Sequence, residues 1–344
     1  MAEEKEAVVL RVQPGAWAAV EGHEKTRARL LRLLSEKRVP HALLFSGPQG
    51  VGKKQAALAT AAAFICLDPK DGLACGECAS CKALAAGTHP DFFAVLPETS
   101  GKAARSIKIE QIREMRGAVA RAPKFSTRRA VLLDDAETMN DAAANALLKT
   151  LEEPPGDTLF LLVTGARQAL LPTIVSRCTI IPFAPLDDGA MARVMAAHDV
   201  PEELREPLVA LSDGSAGRAL RLFAGDALTL REDAMATLEK LPQMTPETIF
   251  SVGARLGELD RERLLEWFRY LRMLLRDVLA ILEGSVALMN ADFSERLFAF
   301  AGTLATDQAF TMEREATEAA RRLSTSNASP RLVIEGFLIK IAGK

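Results

Sequence analysis

Two groups of residues in this 344-residue chain have the types and spacing to do chemistry. The first is a glycine loop, Gly47-Pro48-Gln49-Gly50-Val51-Gly52-Lys53-Lys54, with the G-x-x-x-x-G-K spacing of a phosphate cradle. Gly47, Gly50 and Gly52 let backbone N–H groups turn inward around phosphate oxygens, and a helix starting at the loop's end adds positive potential. Lys53 is placed to reach terminal phosphates. Lys54 stands where such loops carry the Ser or Thr hydroxyl that ligands magnesium. A second ammonium removes that ligand and crowds the site. The expectation is a degenerate nucleotide site, with ATP and Mg2+ binding in doubt and no productive hydrolysis.

The second group is Cys66, Cys75, Cys78 and Cys81, spaced C-x8-C-x2-C-x2-C, with Pro69, Gly72 and Gly76 supplying turns. The spacing suits a tetrahedral thiolate site for structural zinc (Zn2+), with buried free cysteines as the alternative. His89 lies beyond the cluster and reads as structural. Cys178 stands alone at a strand edge and reads as core.

Other polar residues fall where strands should end. Val131-Leu132-Leu133-Asp134 is a candidate magnesium-holding strand, with Asp134 as the metal carboxylate. Asp135 follows in the place of a longer glutamate base, one methylene short of orienting a water. Thr164 either senses a terminal phosphate or caps a turn. Arg177, in Ser176-Arg177-Cys178, is either a surface cation or one that enters a neighbouring subunit's nucleotide site. Arg218, after the turn Gly214-Ser215-Ala216-Gly217, is a similar case on the phosphate side.

The elements that must position these groups alternate. Strands are expected at His41–Ser46, Phe92–Leu96, Ala130–Leu133, Leu159–Val163 and Thr179–Phe183. Helices are expected at Arg27–Leu34, Lys53–Phe64, Ile109–Val119 and Asp141–Glu153, the last stopped by Pro154-Pro155. Continuous apolar strands alternating with helices imply an α/β fold with a parallel sheet covered on both faces. The alternation runs through residue 185. Residues 186–226 read as short helices, and residues 227–344 as mainly helical. Leu264, Phe268, Leu271, Leu275, Val278 and Leu282 form one helical stripe.

Composition narrows the classes. The formal net charge of -2 argues against a uniformly basic protein that coats nucleic acid. Residues 1–6 lack the basic-then-apolar order of a signal peptide, and no apolar run is long enough to span a membrane. A cytoplasmic location is expected, where clustered cysteines hold metal more often than they form disulfides.

Together these stretches resemble the AAA+ family of bacterial replicative clamp loaders, the DNA polymerase III clamp loader. The resemblance rests on Asn145-Ala146-Leu147-Leu148-Lys149-Thr150-Leu151-Glu152-Glu153-Pro154-Pro155 and Leu171-Pro172-Thr173-Ile174-Val175-Ser176-Arg177-Cys178, with the four-cysteine insertion after the loop helix. It covers about residues 15 to 225; the helical tail is similar only in general character. The resemblance implies an AAA+ core with a zinc knuckle (1–185), a small helical lid (186–226) and a C-terminal all-α collar for oligomerisation (227–344). It also implies the partners: gamma/tau ATPase and delta subunits, the ring-shaped sliding clamp, and primer-template DNA, with no membrane. Motor subunits of this family keep K-[ST] and D-E, where this chain has Lys53-Lys54 and Asp134-Asp135. The chain is therefore similar to the stationary, delta-prime type. The resemblance implies that Arg177 serves the adjacent motor's ATP site as an arginine finger, and that Lys149 either touches DNA backbone or is solvated. The competing reading is a gamma/tau-like ATPase motor that tolerates Lys54. A polymerase label can attach through the holoenzyme, but nothing in the sequence resembles polymerase chemistry.

Overall fold

The structure of the chain is a computed structural model that describes residues 12, 17, 20–98, 105–125, 127–225, 227–325 and 328–342. Residues 1–6, where the absence of a signal peptide was read, lie outside them.

The described residues divide into two compact units, Met1–Val194 with Gly214–Arg218, and Met195–Asp213 with Ala219–Lys344. The first unit is built on a five-stranded sheet: β1 (Ala42–Ser46), β2 (Phe92–Val95), β3 (Arg128–Leu133), β4 (Asp157–Thr164) and β5 (Thr179–Pro182). Its order is β2-β3-β4-β1-β5, and every pairing is parallel. The register sets Ser46 opposite both Thr164 and Pro182, so the glycine loop leaves the sheet between two strand ends.

The period of two along each strand sends alternate side chains into two cores. Leu43, Phe45, Ala130, Leu132, Leu159 and Leu161 enter one core, covered by α1 (Glu24–Ser35) and α2 (Lys53–Ile65). Ala42, Leu44, Val131, Leu133, Phe160 and Leu162 enter the other. Three helices in chain order bear on this frame: α3 (Ala79–Ala86), α4 (Ile109–Val119) and α5 (Asp141–Glu152). The second core takes Ile112, Met115 and Val119 from α4, and Ala143, Leu147 and Leu151 from α5. Strands buried on both faces explain why the sequence reads as apolar runs rather than alternation. A short α6 (Pro172–Val175) starts on a proline and precedes β5.

The remaining elements are helical: α7 (Asp188–Ala197), α8 (Glu202–Ser212), α9 (Ala216–Ala224), α10 (Ala227–Lys240), α11 (Pro246–Gly257), α12 (Arg261–Leu282), α13 (Ser294–Ala301), α14 (Thr306–Thr325) and α15 (Pro330–Ala342). Helix α12 is the hub of the second unit and packs on α10, α13 and α14. The expected stripe is buried from Leu264 to Val278, and Leu282 is only partly covered. Trp267, Tyr270 and Leu274 are buried as well, so the covered face is wider than one stripe. Phe250, Phe310, Leu332 and Ile339 stay exposed on α11, α14 and α15. No helix among the described residues is long and apolar enough to cross a membrane.

Candidate functional site: a glycine-loop cradle, a cysteine cluster and a surface arginine

The cradle is assembled from the ends of β1, β3 and β4. Gly50 and Gly52 adopt φ of 76° and 96°, the left-handed conformation that glycine takes without steric cost. Gly52 is the N-cap of α2, so the amides that open the helix face the loop. A Cβ on Gly47 would lie 2.1 Å from the Phe183 carbonyl oxygen, which bars any other residue there. The segment carrying Arg218 is fastened to the same loop. Ser215 Oγ donates to the Gln49 carbonyl at 2.8 Å, and the Gly217 N–H donates to the Gly50 carbonyl at 2.8 Å. The Arg218 N–H is held within that turn by the Ser215 carbonyl at 3.0 Å.

Lys53 is 5% exposed. Its Nζ donates to the carbonyls of Gly47, at 2.8 Å, and Pro48. Burial lowers its pKa, while the carboxylates of Glu137, Asp135 and Asp134 oppose that shift. Lys54 lies across the cradle, with Nζ 2.9 Å from Asp134 Oδ2. The Asp134 side chain is only 12% exposed, so this is a largely desolvated pair on its acidic side.

Asp135 follows at φ 45°, ψ 51°, a left-handed conformation that Asp tolerates better than most residues. Its carboxylate lies 4.0 Å from Arg105. Burial raises its pKa, reinforced by Asp134 and Glu137 and opposed by Arg105 and Lys54. Thr164 is fully buried, and its Oγ1 accepts the Ala166 N–H at 3.1 Å, the arrangement of a turn cap. Glu137 was missed by sequence reasoning. Its Oε1 accepts the Gly165 N–H at 2.8 Å, and its Oε2 is buried with no hydrogen-bond partner. Three residues past Asp134, on a 3-10 turn, it carried no periodic or motif signal.

This donor set does not fit a magnesium ion. Asp134 is already paired, position 54 carries a cation in place of a hydroxyl, and Asp135 is turned toward Arg105. A divalent ion sharing the Asp134 carboxylate would face the Lys54 ammonium from roughly 4 Å, a repulsion of several kcal/mol in a partly buried site.

The four cysteines converge. Their Sγ atoms all lie within 4.8 Å of one another, the geometry of a set able to hold a metal ion. Asp71 and Gly72 have φ of 51° and 78°, two successive left-handed residues that reverse the chain into the bridge between Lys70 and Leu73. Backbone N–H groups of Cys75, Cys78 and Cys81 donate to the sulfurs of Cys66, Cys75 and Cys78 at 3.3, 3.4 and 3.4 Å. Burial pushes the Cys66 and Cys81 thiols up. Burial opposes ionisation of Cys78 too, yet amide hydrogen bonds from Cys81 and Leu67 pull it down to about 6. Sequence reasoning expected only turns here, whereas Cys78 caps α3 and Cys81 sits in its first turn. Under this helix, buried His89 accepts the Asp91 N–H on Nδ1 at 3.0 Å and meets Ser80 Oγ at 2.8 Å through Nε2. Nδ1 as acceptor fixes the neutral tautomer with the proton on Nε2. Burial lowers its pKa.

Arg177 lies after α6, away from these carboxylates in chain and partners. Its Nη2 donates to Glu152 Oε1 at 2.6 Å and its Nη1 to the Thr173 carbonyl at 3.0 Å. The neighbouring Cys178 packs on the second core, and burial raises its thiol to about 12. Asn145 and Lys149, one turn apart on α5, are both exposed.

The chain is similar to known proteins along most of its length. The family model described as DNA polymerase III, delta subunit, matches residues 22–187. The DNA polymerase III subunit delta' of Pseudomonas aeruginosa is 43% identical over 204 residues, 58% of this chain and 61% of that protein. The Escherichia coli subunit delta' is 33% identical over 254 residues, 73% of each chain. A Bacillus subtilis protein named DNA polymerase III subunit tau is 33% identical over 244 residues, 67% of this chain but 42% of that protein. With its parallel sheet, its cysteine cluster and delta-prime relatives that it matches over most of their length, the chain belongs to the delta-prime subunit family of the bacterial DNA polymerase III clamp loader.

Proposed function

We propose that this chain is a non-hydrolysing scaffold subunit of the replicative clamp loader that supplies Arg177 to the ATP site of a neighbouring gamma/tau-type ATPase. The observation that carries this reading is the 2.9 Å pair between Lys54 Nζ and Asp134 Oδ2. An internal cation already neutralises the carboxylate that a motor subunit needs for magnesium, and the chain's own site is left without a metal to activate phosphoryl transfer.

Arg177 has the properties of a donor in trans. Its guanidinium is partly exposed, and a planar fork matches the oxygens of a transferring phosphoryl group. Such a finger stabilises charge that develops only in the transition state, and therefore acts on rate. Arg177→Ala in an assembled clamp loader tests this: DNA-triggered ATP hydrolysis at the facing site slows while the isolated chain stays folded. Unchanged hydrolysis would refute the reading.

The cysteine cluster is read as structural zinc. Four thiolates at the usual zinc–sulfur length of ~2.3 Å lie about 3.8 Å apart at tetrahedral angles. Four of the six sulfur separations, 3.5, 3.7, 3.9 and 3.9 Å, bracket that value, and all six are within 4.8 Å. Four protein ligands leave no open position, so the metal would hold the knuckle together rather than act on substrate. Native mass spectrometry should find one zinc per chain.

Residues 186–226 are read as a lid and residues 227–344 as the collar through which the chain assembles with gamma/tau and delta subunits. Exposed Phe250, Phe310, Leu332 and Ile339 support an oligomerisation role for the second unit. The exposed Lys149 is available to primer-template DNA in the complex. The sliding clamp is the object of the assembly, and the cytoplasm is its setting.

A further inference from the structure

The Arg177 guanidinium is pinned by its own chain. One fork nitrogen, Nη2, donates to Glu152 Oε1 at 2.6 Å, and the other, Nη1, donates to the Thr173 carbonyl at 3.0 Å, with a longer contact of 3.5 Å to Ser176 Oγ. Glu152 is the last residue of α5. That helix buries Ala143, Ala144, Leu147, Thr150 and Leu151 on its inner side and starts from an Asn140 side chain that accepts the Ala143 N–H. Glu152 is thus carried by a rigid element, and its carboxylate reaches the fork from across the sequence.

A guanidinium offers five N–H donors in one plane. The contacts to Glu152, Thr173 and Ser176 engage Nη1 and one N–H of Nη2, and leave the other N–H of Nη2, with Nε–H, for an incoming anion. Pinning therefore removes rotamer freedom from a long side chain without consuming the donors that a phosphoryl group needs. We infer that Glu152 is a positioning residue for Arg177, holding the finger in its presenting orientation before the neighbouring subunit docks. The inference rests on the reading of Arg177 as a finger in trans. A carboxylate acting instead as a latch, one that phosphates must displace, would produce the opposite effect on rate.

The test uses the assembled clamp loader with Arg177→Ala, Glu152→Ala, Glu152→Gln and the Glu152→Ala/Arg177→Ala pair. The part of DNA-triggered ATP hydrolysis lost in Arg177→Ala defines the contribution of the facing site. Glu152→Ala should lower kcat for that contribution about 2–5-fold, the range that an exposed ion pair supports, with KM for ATP and the melting temperature of the chain unchanged. Glu152→Gln keeps an acceptor at the same reach and should fall nearer wild type than Glu152→Ala. The double variant should be no slower than Arg177→Ala alone. If Arg177→Ala slows hydrolysis but Glu152→Ala equals or exceeds wild type, the positioning role is overturned and the finger survives. A change in KM alone overturns it equally. If Arg177→Ala has no effect, the finger itself is wrong and the positioning role falls with it.

Discussion

Lys54 and Arg177 are both cations resting on a carboxylate of their own chain, and their situations differ in what is left over. Lys54 is a point charge pressed against Asp134, whose side chain is 12% exposed, and the pair is locally neutral. Arg177 rests on Glu152, whose side chain is 48% exposed, and its planar fork keeps donors in reserve. In the proposed function the first pair fills the metal position of the chain's own cradle, and the second holds a partly exposed cation for a neighbouring site. The difference is what the proposal needs of one subunit: a site closed to chemistry in cis beside a cation useful to chemistry in trans.

Three variations break or sharpen that contrast. The largest effect is expected from Arg177→Ala, which should slow the facing ATP site by about a thousandfold, the lower range for an arginine finger, without shifting the denaturation midpoint of the isolated chain. Lys54→Met should do the reverse. It leaves Asp134 without its counter-charge and should cost the chain about 1–2 kcal/mol, between the values for exposed pairs and for broken buried ones. Equilibrium denaturation reads this, Asp134→Asn in the same chain should restore part of the loss, and the neighbour's hydrolysis should not change.

The smallest effect belongs to a residue beside neither pair. His89 is buried neutral beneath α3, and burial holds its pKa below the ordinary 6.5. Its folded state disfavours the proton that the unfolded state takes up. Stability is therefore full above pH 6.5 and is lost as pH falls from there to the lowered folded value, by at most about 1.4 kcal/mol per pH unit. Denaturation midpoints measured on descending pH should show this slope in wild type, and a His89→Gln chain should lack it.

Much of the frame was legible because local rules agreed with the tertiary outcome. The helix expected at 53–64 is Lys53–Ile65, that expected at 109–119 is Ile109–Val119, and the five strands stand within two residues of their expected ends. A strand, a glycine loop and a helix in that order admit few alternatives. The site was legible in composition and less so in geometry. Lys54 announced itself by standing in a hydroxyl's place, but its ion pair with Asp134 depends on β3 emerging two strands away from β1 in the sheet. Glu137 carried no signal, and Glu152 stood within the 145–155 string without any sign of its pairing, because each acts through a partner distant in sequence: the Gly165 amide for one, Arg177 for the other. Helix α3 was hidden by its cysteines, whose role as ligands masked that of Cys78 as an N-cap. On α12 the single stripe understated burial, since Trp267, Tyr270 and Leu274 are covered by a second set of neighbours around the hub.

The most direct test of the central claim is calorimetry of the purified 344-residue chain with ATP, with and without Mg2+, alongside a turnover assay. An ammonium seated on Asp134 predicts no magnesium-dependent binding and no hydrolysis. Tight binding that requires magnesium, accompanied by turnover, would contradict it and return the chain to the motor class.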